Sequence, residues 1–580
     1  MKRFYYIWAG AFAFTFIMSL SACVKDLDAY PNNPEDFTSE NAYGNDYEGY
    51  LRGLAYLYCT FSECYGGLEV DDNGSSELIR AYWNIQECST DACKFANQDS
   101  WTNDINCNTW SVADNAASYG VYCRAVNGIG FVNEFLRQTE ENKLESRGCD
   151  ASMIARVNSL RAEARFIRAL QYYYLIDVFG DSPFITEDSP VGAFSPEMKS
   201  RSYIFDYIES ELKDLVSDSS AMPDARSNYP RADKGAVWGL LSRLYLNAEI
   251  FNSTVDASGN VVSKGEPRWA DCKKACEEVF GLGYDLCDDY FDLFRGDNGE
   301  NPEAFNEFLF ALDYDETSMN SWGGTTYFVY GCFAASDDKD AEGMDMYSLG
   351  VGESWANIRM PSDYVFRYFG VSIPEDGYNE DGTYKGGYNA GDGYEYVDKR
   401  ASQFFIKNHS ADMYPDIYNF QQGFSFYKYN NIPHDMTREE FAPTAATYTW
   451  LSKTGVDYPV IRLAEIYLTY AEACLETSES GKGLPFLNEV RERAGLDPLD
   501  EYDLEDVQRE RAVELAWEAV RRTDLIRWDM YNTDRYLWNW KGGTYEGRSF
   551  PDYRLVFDFP GSELNVNENL SHKPGYMVEK

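Results

Sequence analysis

The chain has 580 residues and a formal net charge of −45, with 96 acidic residues against 51 lysines and arginines. A surface this acidic repels nucleic acid and anionic lipid, which argues against a nucleic-acid-binding protein. The three histidines, His409, His434 and His572, are far apart in the sequence, so we expect neither a histidine zinc centre nor a histidine-based acid–base enzyme. Aromatic residues make up 16% of the chain, an excess that favours a protein stacking flat ligand faces on its rings.

The N-terminus has the pattern of an export signal. Basic residues precede an almost wholly apolar run over 4–20, and small residues lead from this run to Cys23. The run is too short for a membrane span and predicts a signal peptide over 1–22. A cysteine at the start of the mature chain predicts lipidation at Cys23, because two or three acyl chains anchor a protein stably. With the short acidic segment that follows, this predicts a lipid-anchored protein exposed on the cell outer membrane.

Several segments have the periodicity of amphipathic helices. Apolar residues recur at helical spacing from Met153 to Val178, and Gly180 ends the pattern. The same spacing predicts helices over 232–248, 463–474, 484–494 and 507–528. Short glycine and proline breaks between neighbouring helices predict antiparallel hairpins. Small residues inside them allow the close approach of tetratricopeptide-like pairs.

The middle of the chain, about 283–458, has a different pattern. Short aromatic and β-branched runs at 308–310 and 326–330 lie among glycine, aspartate and asparagine. The segment Gly377–Tyr396 is a long loop rich in glycine, tyrosine and acidic residues. A loop of this length is usually functional.

Together these patterns predict a mainly α fold in a single domain over 23–580. Helical pairs over about 40–282 and 459–530 would form the scaffold. The region of about 283–458 would form a loop-rich, partly β lobe that carries the ligand.

Sequence motifs give no support to an enzyme. The chain has no G-x-S-x-G elbow, phosphate-binding loop or H-E-x-x-H pair. Among 96 acidic residues, pairs of carboxylates arise by chance and do not indicate a glycosidase. We therefore expect no catalytic residues and no organic cofactor. One cofactor hypothesis stays open, a structural calcium ion held by loop carboxylates near Asp297 or Asp457, although no EF-hand spacing supports it.

Nine short blocks of sequence carry a resemblance to a known family. They are 161–170, 179–183, 231–236, 461–465, 471–473, 488–495, 514–515, 521–528 and 573–576. In their order and spacing they resemble the SusD/RagB family of surface glycan-binding lipoproteins. The resemblance implies four tetratricopeptide-like helix pairs holding a loop-rich ligand lobe. It also implies a partner, a TonB-dependent outer-membrane transporter of the SusC type, on which the lipoprotein sits as a lid.

Three further blocks, 89–91, 323–327 and 536–543, resemble the starch-binding member of this family in particular. In that member, aromatic rings cradle a curved α-glucan and polar side chains hold its hydroxyls. The resemblance implies that the following residues contact glycan: Asp72, Arg80, Phe95, Tyr327 and Trp355. We expect Trp538 and Trp540, in the last block, to pack rather than to bind ligand.

The observations favour a non-catalytic, cell-surface lipoprotein for nutrient uptake. It would capture oligosaccharides, starch-like α-glucans in particular, and deliver them to a SusC-like transporter. Two alternatives stay open: a surface glycoside hydrolase, and a helical-repeat scaffold that binds a peptide or protein.

Overall fold

The structure is a computed structural model. It describes residues 42–63, 74–111, 115–192, 194–315, 321–332, 350–351, 355–371, 396–405, 411–420, 422–437, 440–441 and 453–576. Three predictions lie outside these residues: the signal peptide with Cys23, the polar residue Asp72, and all but the last residue of the loop Gly377–Tyr396.

Helices dominate the regular structure. They are α1 (Tyr47–Cys59), α2 (Leu78–Trp83), α3 (Ser100–Cys107), α4 (Ala116–Gln138), α5 (Glu141–Ser146), α6 (Ala151–Phe179), α7 (Arg201–Leu215), α8 (Lys234–Leu246), α9 (Ala248–Phe251), α10 (Trp269–Phe280), α11 (Pro302–Phe305), α12 (Gly324–Gly331), α13 (Ser362–Tyr368), α14 (Leu463–Glu476), α15 (Ser480–Arg493), α16 (Leu504–Glu514), α17 (Arg521–Arg527) and α18 (Gly561–Val566). A π-helix continues α2 over Asn84–Cys88. None of the helices in the described residues is both long and apolar enough to span a bilayer.

The strands are short and pair antiparallel, two at a time. They are β1 (Lys94–Phe95), β2 (Ser182–Pro183), β3 (Met198–Lys199), β4 (Thr254–Val255), β5 (Val261–Ser263), β6 (Phe308–Leu312), β7 (Ile358–Arg359), β8 (Phe404–Phe405), β9 (Ser425–Phe426) and β10 (Tyr458–Arg462). The pairs are β1–β7, β2–β3, β4–β5, β6–β10 and β8–β9. This arrangement confirms the mainly α fold with a minor β component.

The long helix α6 shows why these segments are helical. Asp150 caps its start by accepting the backbone N–H of Met153 at 2.8 Å, and Gly180 ends it with a φ of 66°. Its second half is buried all round, from Phe166 to Phe179. The helix predicted from Met153 to Val178 is therefore confirmed, and it forms the centre of the scaffold.

Successive helices pack in pairs, as predicted. Helix α6 packs against α4 and α7, α8 packs against α10, and α14 packs against α15. Gly128 on α4 shows how close the approach is, because a Cβ atom there would lie 2.2 Å from the Gln171 side chain on α6. The glycine is required by helix packing.

The helix predicted over 507–528 is wrong as a single element. The chain forms α16 and α17, and between them Trp517 and Ala519 take positive φ angles of 63° and 60°. The break buries the Trp517 ring, whose indole N–H donates to the carbonyl of Ala92 at 3.0 Å and whose ring lies 5.4 Å from that of Trp83. Burial of a tryptophan offsets the backbone strain of about 1–3 kcal/mol per residue.

A buried ion-pair network joins the scaffold to the middle region. Arg462, at the end of β10, lies 2.8 Å from Glu307, 2.6 Å from Glu514 and 2.6 Å from Glu518. Arg400, from the middle region, lies 2.7 Å from Glu514. All of these side chains are buried.

Further cations complete this network. Arg493, at the end of α15, contacts Glu307 at 2.6 Å, and Lys428, from the middle region, contacts Glu518 at 2.5 Å. Burial alone would raise the pKa of Glu514, but the guanidinium groups of Arg493, Arg462 and Arg400 outweigh it and hold the pKa well below its ordinary value. Glu514 is therefore charged at neutral pH, and the segments that supply its partners are held together.

We predict that Glu514→Ala lowers the free energy of unfolding by about 3–5 kcal/mol, because three buried guanidinium groups lose a partner. Urea unfolding at pH 7 measures this. The matched control is Arg535→Ala, which removes the exposed pair between Arg535 and Asp529 and should cost less than about 1 kcal/mol. Equal effects of the two substitutions would contradict the role assigned to the network.

The wild type should also lose the stabilising contribution of Glu514 as the pH falls below about 4.3, the ordinary glutamate pKa, because protonation removes the negative charge.

Candidate functional site

A group of four aromatic rings lies at the start and end of helix α12. We call it the aromatic cluster: Trp322, Tyr327, Tyr330 and Trp355. Trp322 lies two residues before the helix begins, with Gly323 as the N-cap and Gly324, at a φ of 50°, as the first helical residue. The backbone N–H of Trp355 donates to the carbonyl of Tyr330 at 2.8 Å, which holds the later segment against the helix end.

The rings of the cluster are inclined to one another. Trp355 stacks on Tyr330 with centroids 5.0 Å apart and an interplanar angle of 28°. Trp322 lies 5.8 Å from Trp355 at 55°, and Tyr327 lies 6.4 Å from Trp355 at 39°. The two tryptophans thus present faces that are angled and not coplanar.

Two cations pack on these rings. The Arg80 guanidinium, from α2, lies 3.8 Å from the centre of the Tyr327 ring and donates to the carbonyl of Trp322 at 3.5 Å. The Lys453 ammonium lies 2.8 Å from the centre of the Trp322 ring. Each contact is a cation–π interaction of about 0.5–2 kcal/mol that fixes ring orientation.

Exposure separates the cluster into two layers. Trp322 and Trp355 are half-buried and keep part of their ring surface in contact with solvent. Tyr327 and Tyr330 have no exposed surface, and Arg80 is 2% exposed. The structure therefore brings the predicted residues Arg80, Tyr327 and Trp355 together, with Trp355 in the outer layer and the other two beneath it. Their contact with glycan stays a prediction.

Phe95 reaches the same region through a strand pair. Phe95 is opposite Ile358 in the β1–β7 pair. Ile358 lies three residues after Trp355 in the chain. Its ring is 1% exposed and packs edge-on against Trp101, with centroids 5.1 Å apart. In this structure the Phe95 ring is therefore a packing residue, and its contact with glycan also stays a prediction.

A buried carboxyl group lies behind the cluster. Glu77 accepts a hydrogen bond from the Tyr314 hydroxyl at 2.8 Å. Burial raises the pKa of Glu77 to about 8, although Tyr314 and Arg80 act in the opposite direction. The turn before α12 has little space here, because a Cβ atom on Gly74 would lie 2.5 Å from the carbonyl carbon of Trp322.

The carboxylates proposed for calcium have protein partners. Asp457 accepts the Tyr229 hydroxyl at 2.6 Å and the Tyr314 backbone N–H at 2.9 Å, and burial raises its pKa to about 7. Asp297 accepts the backbone N–H of His434 at 2.9 Å, and its other oxygen lies 2.7 Å from a ring nitrogen of that histidine. Within the part of the chain that the structure describes, no three or more histidine, cysteine, aspartate or glutamate side chains are grouped so that they could hold a metal ion. The calcium hypothesis gains no support there.

Comparison with known proteins identifies the family. A family model described as "SusD family" matches residues 306–576. A second family model, described as "Starch-binding associating with outer membrane", matches residues 62–246. The starch-binding protein SusD of Bacteroides thetaiotaomicron is 30% identical over 96% of this chain and 96% of its own length. The chain belongs to the SusD family. A SusD-like protein of Bacteroides ovatus is 26% identical over 65% of this chain and 60% of its own length.

Solved SusD structures have the same fold. A SusD superfamily protein of Parabacteroides distasonis superposes with a TM-score of 0.63 over 93% of this chain and all of its own, at 20% identity. A laminarin-binding SusD-like protein superposes with a TM-score of 0.61 over 92% of this chain and all of its own, at 18% identity. The helical-pair scaffold predicted from the sequence is thus the scaffold of the SusD family.

Sequence reasoning missed three members of the site. Trp322, Tyr330 and Lys453 were not among the predicted ligand contacts, yet two of them supply rings and one packs on a ring. A signal was available for Trp322, since it directly precedes the block 323–327 that carries the resemblance. Lys453 is 131 positions after Trp322, and no local pattern connects them.

The buried Glu77 predicts a pH effect on stability. Its pKa is higher in the folded state than in the unfolded chain, so between about pH 4.3 and its folded pKa of about 8 the unfolded state binds fewer protons. The free energy of unfolding should therefore fall as pH rises through this range. The isosteric Glu77→Gln cannot ionise, so its stability relative to the wild type should increase over the same range. Urea unfolding at pH 5 and pH 8 tests this. If the difference in free energy of unfolding between the two proteins were the same at pH 5 and pH 8, the assigned protonation would be contradicted.

Proposed function

We propose that this protein is a non-catalytic glycan-binding lipoprotein that captures α-glucan oligosaccharides at the aromatic cluster. The observation that supports this most directly is the pair of half-buried indole rings, Trp322 and Trp355, 5.8 Å apart and inclined at 55°. A pyranose presents an apolar C–H face that stacks on an aromatic ring. Two inclined rings suit successive sugars of a curved chain better than those of a flat one.

Polar groups around the rings support the same ligand. Arg80 and Lys453 are buried and lie directly on the cluster, so they orient the rings that stack on sugar. Asp72 is the acidic group that the family resemblance implies, and a carboxylate accepts hydrogen bonds from sugar hydroxyls. The 30% identity to a protein named for starch binding favours starch-like α-glucan among the neutral glycans.

We further propose that bound glycan is delivered to a SusC-like TonB-dependent transporter, with this protein anchored beside it through Cys23. The match to the description "Starch-binding associating with outer membrane" supports the location. The cysteine after the apolar export signal supports the anchor.

Binding is tested with a soluble chain that starts after Cys23. We expect maltoheptaose to bind in calorimetry, and Trp355→Ala to weaken the binding by about 5- to 150-fold, the effect of losing one stacking ring. Trp238→Ala, which removes a half-buried tryptophan on α8, is the matched control and should bind as the wild type does. Binding of laminarin oligosaccharides alone would keep the family role and exclude starch. Equal binding by the wild type and Trp355→Ala would place the ligand elsewhere.

The anchor is tested by Cys23→Ala in the full-length chain. Without the thiol no diacylglycerol can be attached, so the protein should move from the outer-membrane fraction to the soluble fraction and lose labelling by radioactive palmitate. The control is Cys59→Ala, which removes an exposed cysteine of helix α1. Retention of Cys23→Ala in the membrane would contradict lipid anchoring through this residue.

A further inference from the structure

We propose a second glycan-binding surface, the aromatic platform, formed by Tyr414, Trp540 and Tyr545, which holds a neutral sugar of a chain already bound at the aromatic cluster. This inference rests on the proposed glycan-binding function and adds a second subsite to it. None of the three residues belongs to the aromatic cluster. Two of them are tyrosines outside every predicted site, and Trp540 was predicted to pack.

The rings of the platform are close together and reach the surface. Tyr414 is 55% exposed, and its ring centroid lies 4.7 Å from that of Tyr545. Trp540 lies 5.9 Å from Tyr545 at an interplanar angle of 78°, and both of these rings are half-buried. Large rings that serve only the core are normally covered, so three neighbouring rings with open surface form a contact area for a ligand.

Trp540 has a strained backbone conformation. Its φ of 71° and ψ of 0° are in the left-handed region, which is unfavourable for a bulky residue. Its backbone N–H donates to the carbonyl of Tyr545 at 3.1 Å, and its indole N–H donates to the carbonyl of Met413 at 2.9 Å. These bonds connect Trp540 to the other two rings, because Met413 is the neighbour of Tyr414. The two hydrogen bonds thus hold the indole at the position where the platform forms.

A buried lysine makes the supporting loop rigid. The Lys541 ammonium donates to the carbonyls of Met530, Thr533 and Tyr536 at 2.9, 2.5 and 2.6 Å. The residue is fully buried directly after Trp540. Three hydrogen bonds hold the loop in one conformation, so ring presentation costs little entropy when a ligand binds.

Acidic groups at the edge of the platform define the ligand class. The Tyr545 hydroxyl donates to Asp412 at 2.6 Å, and exposed Asp416 accepts the backbone N–H of Tyr418 at 2.9 Å. Carboxylates beside aromatic faces suit the hydroxyl donors of a neutral sugar. They repel sulfated or uronic-acid glycans, as does the net charge of −45.

A side-chain contact connects the segment that carries Tyr414 to helix α3. The Tyr418 hydroxyl donates to Asn103 on helix α3. The same helix carries Trp101, which packs on Phe95 beside the aromatic cluster. A glycan long enough to reach both surfaces would gain from the second contact by effective concentration, whereas a short one would not.

The experiment measures retardation of the soluble chain in native gels containing amylopectin and calorimetric binding of maltotriose. We expect Tyr414→Ala to weaken amylopectin binding by at least about fivefold, the lower end of the effect of one stacking ring. In a Trp355→Ala background, residual retardation should remain and should disappear in the Trp355→Ala/Tyr414→Ala double variant. Maltotriose binding that depends on Trp355 should be unchanged in Tyr414→Ala.

Two controls keep the result interpretable. Tyr203→Ala removes a tyrosine of similar exposure, 48%, from the scaffold helix α7 and should change nothing. Trp540→Ala should repeat the effect of Tyr414→Ala, and thermal unfolding shows whether the variants remain folded.

Equal amylopectin binding by Tyr414→Ala and its parent, in both backgrounds, would overturn the platform while leaving the proposed function intact. An effect of Tyr414→Ala on co-purification of the transporter with unchanged amylopectin binding would also overturn it, in favour of a docking surface. A wild type that binds no glycan would overturn both proposals.

Discussion

The buried network around Arg462 and Glu514 is the constraint on which the rest of the structure depends. A guanidinium or carboxylate taken out of water is costly unless its partners are in place. Here the partners come from β10, α16 and the middle region, where Arg400 contacts Glu514 at 2.7 Å. The network therefore favours a single relative arrangement of scaffold and middle region. A hydrophobic contact of the same area would tolerate sliding, whereas paired charges do not.

The candidate site benefits from that fixed arrangement. Arg80 comes from a helix near the N-terminus, Trp322 and Trp355 from the middle region, and Lys453 from the segment before β10. The Trp517 ring, buried by the break between α16 and α17, packs on Trp83 at the end of α2, the helix that carries Arg80. The inclination of the two half-buried indoles is thus set by contacts between distant parts of the chain. A preorganised pair of rings binds a weakly held sugar better than a flexible pair.

The sequence predicted the scaffold closely and the site in part. The pattern from Met153 to Val178 became α6, because a helix buried over many turns keeps its period whatever surrounds it. The pattern over 507–528 failed, since burial of the Trp517 ring overrode helical periodicity. Of the predicted site residues, Arg80, Tyr327 and Trp355 came together, but the sequence did not show that the first two lie beneath the third.

What the sequence by itself determined is therefore the class of the protein: its helical pairs, its acidic composition and its family. These properties follow from local composition, from periodicity and from blocks whose order can be read along the chain. Only the tertiary structure decided which rings are exposed, which cations pack on them, and that Tyr414, Trp540 and Tyr545 share one surface. Exposure and ring geometry depend also on contacts between residues distant in the chain, such as Tyr414 and Tyr545, and one-dimensional patterns carry no information about such contacts.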